Sequence, residues 1–83
     1  MKENLCLEIV SPESIMFSGE IEMVEMPGKQ GRFAILSGHA PIISSLTEGS
    51  IRVKPQGQEE IAFPCKSGYV ECDDNKVTIL LNS

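Results

Sequence analysis

Pro27 to Pro41, PGKQGRFAILSGHAP, sets two turn clusters around the short apolar run Phe33–Leu36 and holds the only histidine of the chain, His39. Gly28, Gly31 and Gly38 can adopt positive φ at little steric cost, while Pro27 and Pro41 fix φ and remove backbone donors. The stretch therefore reads as turn, strand, turn. Four consecutive apolar residues in a strand imply burial on both faces, or a position at the close of a barrel.

Outward from this stretch the chain keeps the same rhythm. Leu5, Leu7 and Ile9 alternate with Cys6, Glu8 and Val10, and Ser11-Pro12 stops that strand. Ile15–Phe17 reads as a second short strand broken at Gly19. From Glu20 the alternation resumes and then flips phase, with Val24 and Met26 apolar around Glu25, the mark of a β-bulge. Ile42, Ile43 and Leu46 supply the next piece. Ile51 and Val53 face inward from a strand opened by Gly49, and Pro55-Gln56-Gly57-Gln58 turns it towards Ile61 and Phe63. A last hairpin runs through Tyr69 and Val70, turns at Asp73-Asp74-Asn75, and returns with Val77, Ile79 and Leu81 on one face. No segment carries helical periodicity over the ~10–12 residues a helix requires. Short strands with turns every ~8–12 residues imply an all-β sandwich or flattened barrel.

The 83 residues suit one domain, read here as spanning 1–83. Twelve acidic against seven basic side chains give a net charge of −5, which opposes binding to nucleic acid by counterion release. No apolar run reaches the ~18 residues of a spanning helix, and Met1 to Cys6 lacks the apolar stretch and small-residue site of a signal peptide. Cys6, Cys65 and Cys72 are odd in number and widely spaced, so they read as reduced thiols packed as small hydrophobes, with a Cys65–Cys72 bridge as the alternative.

Candidate chemistry is sparse. His39 could serve as a general base for Ser37, Ser44 or Ser45, but a lone histidine between Gly38 and Ala40-Pro41 reads better as a loop-fixing or interface residue. One histidine and three scattered cysteines do not make a zinc site, and no Gly-Lys-Ser/Thr follows Gly28 and Gly31 to hold a phosphate. No metal and no cofactor is expected. Glu20, Glu22 and Glu25 read as a solvated strand face. Lys29, Arg32 and His39 gather positive or protonatable groups in one turn region of an acidic protein, which suggests a docking tip for a polar or acidic partner.

Three segments carry a resemblance that covers nearly the whole chain: LEIVSPESIMFSGEIEMVEMPG from Leu7 to Gly28, GRFAILSGHAPIISSLTEGSIRV from Gly31 to Val53, and KSGYVECDDNKVTILL from Lys66 to Leu81. In order and motif, the chain resembles the N-terminal domain of the epsilon subunit of F-type ATP synthases. The resemblance implies a ten-stranded β-sandwich at the foot of the rotating central stalk, packed on the gamma subunit and standing on the polar loops of the membrane c-ring. It implies a non-catalytic coupling role, on the cytoplasmic face of the bacterial inner membrane, with membrane contact only through the complex. It places Lys29, Gln30, Gly31 and Arg32, and the loop residues Gly38, Ala40, Pro41 and Ile42, near the ring; Ser11, His39 and Ser44 lie near gamma.

Two positions depart from the family pattern. Arg32 stands where relatives commonly have an acidic residue, so the facing ring loop is expected to offer an acidic or neutral hydrogen-bonding group. Ser37 stands where proline is common. Most relatives also continue into a C-terminal helical hairpin, so the chain as written is expected to lack inhibition of that type. The rival readings are a free-standing sandwich that binds a small ligand or peptide, and a small hydrolase using His39.

Overall fold

The computed structural model describes residues 4–82; residues 1–3 and 83, at the two ends of the expected domain, lie outside the described residues. It contains eight strands: β1 (Leu5–Val10), β2 (Ile15–Gly28), β3 (Gly31–Leu36), β4 (Ile42–Leu46), β5 (Gly49–Pro55), β6 (Ile61–Cys65), β7 (Gly68–Asp73) and β8 (Lys76–Leu81). Among the described residues there is no helix, and none is therefore long and apolar enough to cross a membrane.

The strand order is β1-β8-β7-β4-β2-β5-β6, with β3 also on β2, and β1 returns to pair with β2. The ladder thus closes on itself as a flattened barrel, about 36 × 23 × 19 Å. β2 makes the closure possible. Its first half pairs with β1 from Ile15 to Ile21, and its second half pairs with β3 and β5. Between Ile21 and Met23 it advances two residues while β5 advances one, from Pro55 to Lys54. That is the bulge the phase flip predicts, and it is why Ile21, Val24 and Met26 are all buried.

Two expectations about strands are corrected here. Gly19 does not break a strand, because it pairs with Leu7 inside the β1–β2 ladder. The segments read as two strands are one 14-residue strand, and the count among the described residues is eight rather than ten. The apolar run in β3 is not buried on both sides either: Ile35 is fully buried, Phe33 half-buried, Ala34 exposed and Leu36 54 % exposed. β3 has a single ladder neighbour and only one face on the core, so its side chains alternate.

Leu5, Leu7 and Ile9 from β1, Ile51 and Val53 from β5, Val70 from β7, and Val77, Ile79 and Leu81 from β8 meet in one core, with no buried polar or charged residue among those described. The hairpins read from the sequence are present, with Ile51 opposite Phe63 and Val70 opposite Ile79. The β7–β8 turn is one residue tighter than expected, since Asp73 pairs with Lys76. Asp74 and Asn75 both take positive φ, 52° and 61°, the backbone of a type I′ turn.

The three thiols are free. Cys65 and Cys72 are buried, and burial pushes both thiols above their ordinary pKa, the Asp73 carboxylate adding to the effect at Cys72. Cys6 is exposed, contrary to the packed position expected, because Leu5 and Leu7 take the inward side of β1.

Candidate functional site

The β2–β3 turn is shaped by close approach. A Cβ on Gly28 would stand 2.7 Å from both the Gly31 carbonyl oxygen and the Phe33 ring, so only glycine fits. The turn is tied to its neighbours by backbone bonds: the Lys29 N–H donates to the Ser45 carbonyl at 3.0 Å, and the Thr47 N–H to the Pro27 carbonyl at 2.8 Å. Lys29, Gln30, Arg32 and Phe33 on this side, with Ile42 and Ser44 opposite, line a groove of about 580 Å³.

Arg32 is held within the domain. Its guanidinium donates to the Ser50 carbonyl at 2.8 Å and meets the Glu25 carboxylate at 3.4 Å. Lys54 pairs with Glu22 at 3.4 Å, and Glu20 accepts from the Asn4 side chain at 3.1 Å. The three glutamates of β2 thus serve as partners on the surface. Among the described residues Lys29 has no carboxylate partner.

At the far end of β3 the chain turns back on a hydrogen bond from the His39 N–H to the Leu36 carbonyl, 3.2 Å, with Gly38 at φ 86°. Asn75 clamps this loop: its Oδ1 accepts from the Gly38 N–H at 2.8 Å, and its Nδ2 donates to the Ser37 hydroxyl at 3.4 Å. The Asn75 carbonyl also accepts from the Cys6 N–H at 2.9 Å, joining loop, turn and β1. His39 is half-buried, and its Nδ1 lies 2.6 Å from the Ala40 carbonyl, which fixes the ring against its own loop. The Ser37 hydroxyl accepts from Asn75, and Ser44 donates to the Ser45 carbonyl at 3.3 Å, so Ser44 is not aimed at the imidazole.

The structure distributes the predicted residues over two ends. Lys29 to Arg32 lie at the start of β3 and Gly38 to Pro41 beyond its finish, about 17 Å or more apart for a strand of this length. Ile42 and Ser44 return along β4 into the groove. Ser11 sits in the β1–β2 turn, where its N–H donates to the Ser14 carbonyl at 2.9 Å. That is the Lys29 end: Val10, Leu80, Tyr69 and Ser45 are successive cross-strand partners, and Ser45 accepts from Lys29.

The same register shows a feature missed in the sequence. Ile15, Val10, Leu80 and Tyr69 lie side by side across β2, β1, β8 and β7 on the outer face, and Ile43, 76 % exposed, extends the row onto β4. Ile43, Tyr69 and Leu80 line one shallow depression of about 270 Å³. Alternation contained the signal, since inward Val70 and Ile79 force Tyr69 and Leu80 outward.

The family model for the ATP synthase delta/epsilon chain β-sandwich domain matches residues 4–83. The chain belongs to this family. Among its members, the ATP synthase epsilon chain of Parvibaculum lavamentivorans is 38 % identical over 80 residues, covering 96 % of this chain and 61 % of that protein. The epsilon chain of Chlorobium limicola is 38 % identical over 74 residues, covering 89 % and 84 %. The chain therefore spans about three fifths of some relatives and most of others. The fold of the family is also that of a chain in the Euglena gracilis mitochondrial ATP synthase, solved as OSCP, F1 and c-ring, with TM-score 0.89 at 16 % identity over 96 % of this chain and 51 % of that one. A chain in the Tetrahymena thermophila mitochondrial ATP synthase central stalk and c-ring gives 0.81 at 14 % identity, over 99 % and 66 %.

Proposed function

We propose that the chain is a non-catalytic central-stalk subunit of an F-type ATP synthase, one that couples rotation of the c-ring and gamma to ATP synthesis and hydrolysis. The observation that carries this reading is the row Ile15, Val10, Leu80, Tyr69 and Ile43. A domain that buries no polar residue among those described, yet leaves four apolar side chains exposed around the half-buried Val10, is built to be covered. Gamma is the proposed cover, with Ser11 at one end of the row and Ser44 on the strand that bears Ile43; His39 reaches gamma from the opposite end.

Lys29 to Arg32 and the loop Gly38 to Ile42 are proposed to meet the polar loops of the ring. Because these two elements cap β3 at either end, that strand would then lie along the ring surface. An acidic or neutral group is still the expected partner there, but Lys29 is the cation left to receive it, as Arg32 is occupied by Glu25 and Ser50. The subunit would sit peripherally on the cytoplasmic face of the bacterial inner membrane, held there by the complex.

Tagged chain used as bait on detergent-solubilised membranes should retain gamma and c. Tyr69→Glu or Ile43→Glu, which place a charge in the row without touching the core, should reduce that retention. Capture of neither subunit by the folded wild-type chain would sink the reading.

A further inference from the structure

We propose that the groove between β3 and β4 is a strand-acceptor site, taking up a short extended segment of a partner subunit that carries a carboxylate. The inference rests on the reading of the chain as part of a rotary complex.

The argument is one of backbone parity. Gly28 and Gly31 close a two-residue turn and face each other as its terminal pair, as Met26 and Phe33, and Val24 and Ile35, do further along. In an antiparallel ladder the alternate residues, Arg32, Ala34 and Leu36, direct their N–H and C=O groups away from β2. The Leu36 carbonyl confirms the parity by accepting from His39 in the loop beyond. Pro27, opposite Arg32, confirms it from the other side: it has no N–H to give, and its carbonyl accepts from Thr47.

β4 obeys the same rule. The Ser45 carbonyl accepts from Lys29, so Ser45, and with it Ile43 two residues earlier, point away from β7. Beside Ile43 no strand follows, since β4 meets β2 only at Leu46. Arg32 on one wall and Ile43 on the other therefore line a groove with no ladder across it, and Ala34 continues the open edge of β3 just beyond that lining. Exposed strand edges are usually blunted by charge, proline or a bulge. Ala34 and Ile43 have none of these at the open positions.

The chemistry of the occupant follows from the lining. Backbone donors and acceptors on both walls call for an extended main chain. The half-buried Phe33 ring offers an apolar contact, and Lys29 at the rim supplies a positive charge without a carboxylate of its own.

Amide hydrogen exchange on the isolated chain and on the assembled complex tests this. Exchange at Ala34 and Ile43 should slow by about tenfold or more on assembly. Ala34→Pro and Ile43→Pro, each removing an edge donor that neither β2 nor β7 uses, should lower incorporation by about tenfold, and Lys29→Glu by a few fold. Lys29→Glu leaves the backbone intact and so keeps the test valid if a proline variant does not fold. A chain that assembles while both amides exchange at their isolated rates overturns the acceptor site and leaves the rotor reading standing. So do folded proline variants that incorporate like wild type. A wild-type chain that does not enter the complex overturns both.

Discussion

The hairpins β7–β8 and β2–β3 close on turns of equal length, yet they do opposite work. In the first, Asp74 and Asn75 carry the left-handed angles and each strand has neighbours on both sides, β4 beyond β7 and β1 beyond β8. In the second, Gly31 takes the unusual angle, φ 131°, and β3 has one neighbour only. Backbone groups of the inner hairpin are consumed by the chain itself, whereas half of those on β3 face outward. Damage to the inner hairpin should thus appear as lost stability, and damage to the outer one as lost assembly.

The largest expected effect tests that contrast directly. Ile79 is fully buried between β7 and β1, and Ile79→Ala should destabilise the domain by about 2–5 kcal/mol. For a domain of this size each kcal/mol lowers the melting temperature by about 4–8 °C. Phe33 packs against the core from the edge strand and is only half-buried, so Phe33→Ala should cost about half as much despite the larger ring removed. Equal melting shifts for the two variants would break the comparison.

Asn75 links the two regions and gives an intermediate effect. Asn75→Ala forces a β-carbon residue with no local side-chain hydrogen bond into φ 61° and removes the clamp on Gly38, for a loss of about 2–3 kcal/mol. Asn75→Gly keeps the turn and loses the clamp alone, about 0.5–1.5 kcal/mol. Both should speed exchange of the Gly38 amide. If Gly38 stays protected in Asn75→Gly, the loop that presents His39 is held by something other than this amide.

The contrast also explains what the sequence could show. Inner strands are legible because a period of two, seen in Leu5-Leu7-Ile9 and Val77-Ile79-Leu81, has one physical cause, a single buried face. The bulge in β2 was legible for the same reason, as a slip in that period. The continuity of β2 through Gly19 was not, because glycine in a strand and glycine in a turn look alike until the Leu7 pairing is known. The apolar run of β3 misled for a related reason: Leu36 is apolar without being inside. The site divides in the same way. Gly28 and Gly38 mark their turns in the sequence, but the engagement of Arg32 by Glu25 and Ser50, and of Gly38 by Asn75, depends on residues brought together from 7 to 37 positions away.

The smallest effect comes from the thiols, and it separates inside from outside in one molecule. Cys6 is exposed while Cys65 and Cys72 are buried, so one thiol should react promptly with a thiol reagent in native protein and all three after unfolding. The pH dependence has a definite sign. Both buried thiols ionise above their ordinary value of 9.0 in the folded chain and near it once unfolded. Below pH 9.0 both states hold these protons and stability is unaffected; above it the unfolded chain releases them first, so stability falls as pH rises towards the folded values. The decline should be shallower in Cys65→Ala/Cys72→Ala than in wild type, measured as denaturation midpoint against pH. An identical slope in the two proteins would show that alkaline loss arises elsewhere, and prompt reaction of Cys72 in native protein would show that the inner hairpin opens readily despite its neighbours on both sides.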